Sequence, residues 1–301
     1  MSWRQVILQN PCHLRARDHR LVITREEESY FVPFEDITCL VIECKEIVLT
    51  ASVLACCAEF GVAVFICDDH HLPKGLFTTF QQKSNPFLMI EKQTEISLPF
   101  KKQLWQKIII SKIMNQAKVL AILDYKKESL VLSSYAKQVK SGDATGREAV
   151  SAKLYFHCLL HGDTRRNNSN GTNAHLNYGY AIVRGTIAKY LVSYGFFPSL
   201  GIHHCHPHNE FNLADDLMEV FRPVIDLHVF SHSVSENALS KQDRENLVRC
   251  LFYVMNFQGE TVSVQQAIRL VCRNLHSSIL KNDSRLFVLP ELLPLTLDHG
   301  D

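Results

Sequence analysis

The stretch from Phe100 to Leu123 reads FKKQLWQKIIISKIMNQAKVLAIL, and it decides how the rest of the chain is divided. Its apolar residues recur every three or four positions, which is the spacing of one side of an α-helix. These residues are Leu104, Trp105, Ile108, Ile109, Ile113, Ala117, Leu120 and Ala121. The pattern predicts a long helix from about residue 101 to residue 123.

The 80 residues at the start of the chain have a different character, because β-branched and aromatic residues alternate there with turn-forming and charged residues. Strands are predicted at 20–24, 29–32, 37–42, 62–67 and 76–80. One helix is predicted at 50–60, with Thr50 or Ser52 as its N-cap and Gly61 at its C-terminal end. The polar residues 81–86 are typical of a linker.

Beyond the long helix, apolar spacing predicts further helices. They are expected at 144–160, 174–194, 213–230, 242–256 and 262–280. The predicted fold class is therefore α+β, with a small N-terminal β-sheet domain containing one helix (residues 1–90) linked to a larger all-α catalytic domain (residues 91–301). The tail after Ser284 is expected to be extended or poorly ordered.

Composition excludes several classes of protein. No apolar run approaches the roughly 18 residues that a membrane span requires, and the first residues lack the pattern of a secretory signal. The ten cysteines form no Cys-x-x-Cys pair and lie mostly in apolar runs, as buried reduced thiols do. We therefore expect a cytoplasmic location and no membrane partner.

The net charge of +1 conceals three blocks of different sign. Residues 1–100 carry 9 basic and 13 acidic side chains, residues 101–190 carry 15 and 5, and residues 191–301 carry 8 and 13. A basic middle block is typical of a surface that binds a polyanion, although solvated helix faces would give the same count. On the long helix, Lys101 and Lys112 lie three turns apart and are expected to share a face, as are Lys107 and Lys118.

The most informative chemistry lies between Gly201 and Pro223, which read GIHHCHPHNEFNLADDLMEVFRP. Four histidines fall within six residues, and Asp216 and Glu219 follow one helical turn apart. Carboxylates with a nearby imidazole can bind a divalent metal, with magnesium, manganese or zinc as candidates. An exposed histidine-rich loop before an acidic helix start would give the same residues.

The sequence offers two further candidates for metal ligands. A zinc site of His203, Cys205, His206 and His208 is disfavoured because its ligands are crowded and a second, distant pair is missing. Glu148 is the only acidic residue between Asp143 and Asp163, and a carboxylate in that position, taken alone, is more often a charge at a helix N-terminus than a metal ligand.

Taken together, these segments resemble the CRISPR-associated integrase, the DNA-cutting and joining subunit of spacer acquisition, in the branch found beside single-protein effector nucleases (type II). The resemblance covers nearly the whole chain. The segments that carry it are 146–149, 200–204 and 216–223, which contain acidic residues and a histidine in the order E…H…D-x-x-E. The resemblance implies that Glu148, His204 and Glu219 are catalytic and hold a divalent metal, Mg²⁺ or Mn²⁺. Asp216 matches a further acidic position. Register favours His204 over the neighbouring His203 as the ligand.

The resemblance also implies an activity and an assembly. The 3′-hydroxyl of captured DNA would attack a phosphodiester of the CRISPR repeat array in a metal-assisted transesterification. The protein would form a homodimer whose N-terminal β-rich domain dimerises, and two dimers would clamp a small CRISPR adaptation partner subunit on double-stranded DNA, both spacer precursor and repeat.

Basic side chains of the middle and last blocks are the candidates for phosphate contacts. They are Lys101, Lys102, Lys112, Arg165, Arg166, Arg184, Lys189 and Arg222. Tyr178 and Tyr180 could stack on a splayed base, although packing inside a helix is the simpler use. Two other functions remain open at this level: a metal-dependent nuclease of branched or repair DNA without integration, and a non-catalytic nucleic-acid-binding scaffold.

Overall fold

The architecture is described by a computed structural model, for residues 4–69, 73–77, 85–160, 171–232 and 239–297. The chain folds as two compact units, one extending to Lys83 and the other beginning at Ser84. The expected division after residue 90 therefore lies inside a helix, α2 (Pro86–Thr94), of the second unit. This helix begins at Pro86 because the Asn85 side chain accepts the Leu88 N–H at 3.3 Å, and proline suits a first helical turn.

The first unit is built from two sheets and one helix. Its strands and helix are β1 (Arg4–Leu8), β2 (His13–Arg17), β3 (Arg20–Arg25), β4 (Glu28–Pro33), β5 (Ile37–Ile42), β6 (Val48–Leu49), α1 (Ala51–Glu59), β7 (Ala63–Cys67) and β8 (Pro73–Phe77). One sheet has the order β1-β5-β7-β8, and the other has the order β4-β3-β2-β6. Residues 78–80 of the last predicted strand lie outside the described residues.

A single apolar core holds these two sheets and α1 together. Leu14 and Leu21 from the second sheet, Leu40 from the first sheet, and Val53 and Cys57 from α1 are all nearly inaccessible to solvent and belong to one cluster. The prediction of a β-rich unit with one packed helix is confirmed.

The second unit is mainly helical. After α2, its elements are α3 (Leu98–Ile122), α4 (Lys126–Lys137), α5 (Arg147–Leu159), α6 (Gly171–Ser193), α7 (Asn212–Met218), α8 (Arg222–Ser231), α9 (Lys241–Arg249), β9 (Tyr253–Phe257), β10 (Glu260–Ser263), α10 (Val264–Lys281) and β11 (Glu291–Leu297). Helices α2 and α4 were not predicted. None of the helices among the described residues combines the length and the apolar character needed to cross a membrane.

The long predicted helix is α3, and it lies at the centre of this unit. It packs against α4, α5, α8 and β11. It starts at Leu98, three residues earlier than predicted, because the Ser97 hydroxyl caps it and Pro99 occupies its first turn. Residues on several of its sides are buried, including Leu104, Ile108 and Ile113, as is expected of a helix surrounded by others.

The helical unit differs from the predicted all-α domain in containing a three-stranded sheet of order β10-β9-β11. The helix predicted at 242–256 ends at Arg249, and residues from Tyr253 form a strand. Gln258 and Gly259 both have positive φ, 56° and 91°, which is the geometry of a two-residue hairpin turn. In the tail, which was expected to be extended or poorly ordered, Glu291–Leu297 is extended and supplies the third strand.

The helix predicted at 213–230 is broken between Met218 and Arg222 into α7 and α8. Pro223 has no N–H to donate to the carbonyl of Glu219, four residues earlier, and its ring crowds that carbonyl. Glu219 therefore lies at a helix junction rather than in mid-helix.

The ten cysteines are free thiols in the structure, and seven of them are buried. Burial raises the pKa of the Cys57 thiol to about 12. These thiols serve as small apolar side chains, as predicted.

Candidate metal-binding active site

Glu148 is positioned by the start of α5. The Asp143 carboxylate accepts the backbone N–H groups of Arg147 at 2.8 Å and Glu148 at 3.0 Å. Gly142 and Gly146 adopt positive φ in the turn that brings Asp143 back over the helix end. The side chain of Glu148, 32% exposed, meets α3.

Glu219 is positioned by the junction between α7 and α8. The residue is 6% exposed. The Asn115 side chain on α3 donates to the Val220 carbonyl at 3.0 Å and accepts the Leu292 N–H of β11 at 2.9 Å. Asn115 of the central helix therefore binds both the α7–α8 junction and the last strand.

Lys112 lies between the two glutamates. Its Nζ is 2.7 Å from Glu148 Oε1 and 2.5 Å from Glu219 Oε2. The lysine is 7% exposed. One ammonium group thus joins a carboxylate of α5 to a carboxylate at the junction between α7 and α8.

Arg222 completes this charged cluster, which we call the carboxylate cluster (Lys112, Glu148, Glu219 and Arg222). The Arg222 Nε donates to Glu219 Oε1 at 2.8 Å, and its guanidinium lies over the Tyr180 ring at 4.6 Å. Burial by itself would raise the pKa of Glu219. The positive charges of Lys112 and Arg222 outweigh this effect, so the pKa of Glu219 is lowered and the carboxylate stays ionised.

Asp216 anchors the loop that carries the histidines. Its carboxylate is fully buried and accepts three backbone N–H groups, from Ile202 at 2.6 Å, His203 at 3.1 Å and His204 at 3.0 Å. Gly201 precedes these residues, and a Cβ there would lie 2.1 Å from the His204 carbonyl oxygen. The loop can wrap around Asp216 because residue 201 has no side chain.

His204 and His203 make different contacts. His204 Nδ1 lies 2.7 Å from Asp216 Oδ1. That hydrogen bond and the nearby carboxylate charge raise the pKa of His204 in spite of partial burial. The His203 ring instead stacks on Trp105 of α3, with ring centroids 4.1 Å apart. The contacts with Asp216 are consistent with the choice of His204 over His203.

The remaining part of the histidine loop is held by Asn212. Its amide donates to the carbonyls of Ser199 and His206, both at 3.0 Å. His206 and His208 are exposed, and His206 Nδ1 accepts the His208 N–H at 3.3 Å. These two histidines interact within the loop and do not join the carboxylate cluster.

The structure brings Glu148 and Glu219 to one point. The described residues contain no group of three or more His, Cys, Asp or Glu side chains placed to hold a metal together. Lys112 occupies the space between the carboxylates, and His204 is turned toward Asp216. Asp216, the further acidic position, uses both its oxygens on the loop.

The residues nevertheless fit a divalent cation by their donor chemistry. Two carboxylates already converge on one positive charge, and the buried Glu219 Oε2 faces that charge directly. A His204 that donates from Nδ1 to Asp216 keeps Nε2 free as a ligand atom, which is the usual arrangement of a metal-binding histidine. Oxygen donors of this kind suit Mg²⁺ or Mn²⁺.

The basic residues expected to contact DNA occupy varied positions. Lys102 is exposed, whereas Lys101 is partly buried and donates to the Gly201 carbonyl at 3.5 Å. Lys112 differs from the expectation, because it is buried among carboxylates rather than displayed on a surface shared with Lys101. Arg165 and Arg166 lie outside the described residues.

Two further candidates lie on α6. Arg184 is partly exposed and approaches Asp215 at 4.0 Å, and Lys189 lies over the Tyr190 ring. Arg222, expected among the phosphate contacts, donates to Glu219 and orients its carboxylate. Tyr178 and Tyr180 are buried, so they pack inside the unit.

Sequence reasoning missed several residues that shape the site. Trp105, Asn115, Asp143, Gly201 and Asn212 position its loops and helix ends through the contacts above. The sequence did contain a signal for one of them: Asp143, in Gly142-Asp143-Ala144-Thr145-Gly146, stands between two glycines just before a predicted helix.

Comparisons with known proteins identify the family of this chain. Residues 6–255 match the model of the family described as CRISPR associated protein Cas1. The chain is 36% identical over 298 residues, 98% of each chain, to a CRISPR-associated endonuclease Cas1 from Neisseria meningitidis serogroup C (strain 8013).

Solved structures show the same fold. One is a casposase bound to integration product, with a TM-score of 0.74 and 20% identity over 94% of this chain and 92% of that chain. Another is a Cas6-RT-Cas1–Cas2 complex, with a TM-score of 0.72 and 18% identity over 97% of this chain and 36% of that chain. By its family model and its full-length relative, the chain belongs to the Cas1 family of CRISPR-associated proteins.

Proposed function

We propose that this chain is a divalent-metal-dependent DNA endonuclease and integrase of CRISPR spacer acquisition. It joins the 3′-hydroxyl of captured DNA to the repeat array by transesterification. Family membership and a full-length relative named as an endonuclease support the activity. The observation that carries the proposal is the convergence of Glu148, from α5, and Glu219, from the α7–α8 junction, on one buried cationic position.

The residues that would hold the metal are Glu148, His204 and Glu219. A bound Mg²⁺ or Mn²⁺ would supply charge stabilisation at the phosphate oxygens and would lower the pKa of the attacking hydroxyl. Glu219 contributes a carboxylate that is already ionised. Arg222 holds one of its oxygens, and the other oxygen faces the position that Lys112 occupies.

His204 and Asp216 act as a unit. Asp216 accepts the hydrogen bond from Nδ1 and thereby fixes which nitrogen of the His204 ring is free. It also clamps the backbone of the loop on which His204 lies. Asp216 is thus a positioning residue for His204, and we do not assign it as a direct ligand.

DNA and protein partners follow from the same proposal. Lys102, Arg184 and Lys189 lie on α3 and α6 with exposed or partly exposed side chains, as phosphate contacts require. A structural neighbour is a complex that contains Cas2, and another is bound to an integration product. We propose a homodimer, two of which bind a small adaptation subunit and double-stranded DNA.

A joining assay tests the function. The chain and its small partner subunit are mixed with a 3′-hydroxyl duplex and a supercoiled repeat plasmid, in Mg²⁺ and in Mn²⁺. Wild type is expected to yield strand-joined product. Glu219→Gln is expected to lower joining by about 100-fold or more, because it removes a metal-binding charge, while DNA binding by gel shift is retained.

Glu91→Gln is the matched control, since Glu91 is an exposed glutamate on α2 of the same unit. It should join DNA as wild type does. Normal joining by Glu219→Gln would contradict the site. Cleavage by wild type without joining would favour a nuclease of branched or repair DNA, and binding without any product would favour a scaffold.

A further inference from the structure

Lys112 is an unusual residue to find inside a helical unit. It lies near the middle of α3 with a side chain that is 9% exposed, and its neighbours Ile108, Ile109 and Ile113 are fully buried. Transferring an ammonium group from water to such a place costs several kcal/mol unless charged partners surround it. Its position therefore depends on Glu148 and Glu219.

The two glutamates depend equally on Lys112. Glu219 Oε1 is held by Arg222, whereas Glu219 Oε2 and Glu148 Oε1 both face Lys112. Without that ammonium, two carboxylates would face each other with Arg222 on one side only. Lys112 is the one cation of the cluster that both glutamates contact.

We propose that Lys112 is an internal counter-cation, which fills the position between Glu148 and Glu219 in the metal-free chain and leaves it when a divalent cation binds. This inference rests on the metal site proposed above. The ammonium holds the two carboxylates close together, and its four-carbon stem lets it turn away without movement of α3. Arg222 stays with Glu219, because its guanidinium is also held over the Tyr180 ring.

A counter-cation of this kind weakens metal binding by competition. The metal has to displace Lys112. Its free energy of binding is therefore less favourable by the free energy needed to break the ion pairs of Lys112. Removing the positive charge should then tighten metal binding, although it makes the metal-free protein less stable. If Lys112 had a merely structural role, removing its charge would leave metal binding unchanged or weaken it.

Lys118 provides a matched control on the same helix. Its Nζ pairs with Glu291 at 2.8 Å, but both side chains are partly exposed and lie away from the carboxylate cluster. Lys118→Met removes the same chemical group from α3, and that group is likewise paired with a glutamate. It should leave metal affinity at the wild-type value.

The experiment is a calorimetric titration of the full chain with Mn²⁺ alone, for wild type, Lys112→Met and Lys118→Met. Lys112→Met is expected to bind Mn²⁺ at least about tenfold more tightly than wild type. Equal or weaker binding by Lys112→Met would overturn the inference. So would the absence of binding by both proteins, in which case the proposed function is still decided separately by the joining assay.

A second measurement uses wild type and does not depend on the folding of a variant. Acetic anhydride labels free lysine amines, and mass spectrometry gives the extent at each lysine. Mn²⁺ is expected to raise acetylation of Lys112 several-fold, because the displaced ammonium loses its carboxylate partners, and to leave Lys118 unchanged. Equal labelling of Lys112 with and without Mn²⁺ would overturn the inference.

Discussion

The acidic side chains of the helical unit's candidate site are neutralised in two different ways. In the carboxylate cluster, Glu148 and Glu219 face the side chains of Lys112 and Arg222. In the histidine loop, Asp216 faces three backbone N–H groups and one imidazole. The first set of partners consists of long side chains, and the second consists mainly of backbone.

This difference separates exchangeable charges from fixed ones. A side-chain cation can turn away and be replaced by another cation, whereas backbone N–H groups can leave only if the loop unfolds. Glu148 and Glu219 are therefore suited to bind and release a metal. Asp216 is suited to hold a loop in place, although residue types and spacing alone gave Asp216 and Glu219 the same standing.

The largest effect on folding is expected from Asp216→Asn. An amide NH₂ would replace one acceptor oxygen, so buried N–H groups of the loop would lose their partner. We expect the free energy of unfolding to fall by about 3 kcal/mol. Urea denaturation followed by circular dichroism measures this change.

Asp215→Asn is the control for that substitution. Asp215 accepts a hydrogen bond from Asn209 at 2.7 Å and lies 4.0 Å from Arg184, so its contacts are with side chains near the surface. Its loss should cost less than about 1 kcal/mol. Equal costs at positions 215 and 216 would show that the backbone contacts do not set Asp216 apart.

The elements that could be predicted from the sequence are those whose apolar residues recur with a regular period. The apolar period predicted α3, and Lys107 and Lys118 share a face as expected, since both reach the C-terminal segment, at the Phe287 carbonyl and at Glu291. The break at Glu219 could have been predicted from Pro223, because proline cannot donate the hydrogen bond that a continuous helix requires there.

The partners of Lys112 could not be predicted in the same way. Helical spacing pairs Lys112 with Lys101, but the carboxylates that bind Lys112 lie 36 and 107 positions further along the chain. Only the packing of α5 and of the α7–α8 junction against α3 makes a buried cluster from three separate segments. The three N–H groups that bind Asp216 are likewise invisible in a sequence, because every residue except proline carries one.

An intermediate effect is expected from Gly201→Ala. The added Cβ would meet the His204 carbonyl oxygen at 2.1 Å and Asp216 Oδ2 at 3.0 Å, so the loop would have to move away from its anchor. We expect a loss of about 2 kcal/mol in the free energy of unfolding, together with weaker Mn²⁺ binding as His204 shifts.

Gly75→Ala is the control for the added methyl group, because its Cβ would meet the Ile66 side chain at an ordinary 3.4 Å. That variant should bind Mn²⁺ as wild type does. If Gly201→Ala left both stability and Mn²⁺ binding unchanged, the loop would not be held as tightly as its contacts with Asp216 indicate.

The smallest effect on folding is expected from Glu148→Gln, and it bears most directly on the difference between the two groups of carboxylates. Glu148 is partly exposed, and Lys112 would keep Glu219 as its partner after the change. We therefore expect the free energy of unfolding to change by less than about 1 kcal/mol, while Mn²⁺ binding by calorimetry is strongly weakened. If Glu148→Gln destabilised the protein as much as Asp216→Asn does, both carboxylates would be structural anchors, and exchange of Lys112 for a metal would require the helices themselves to separate.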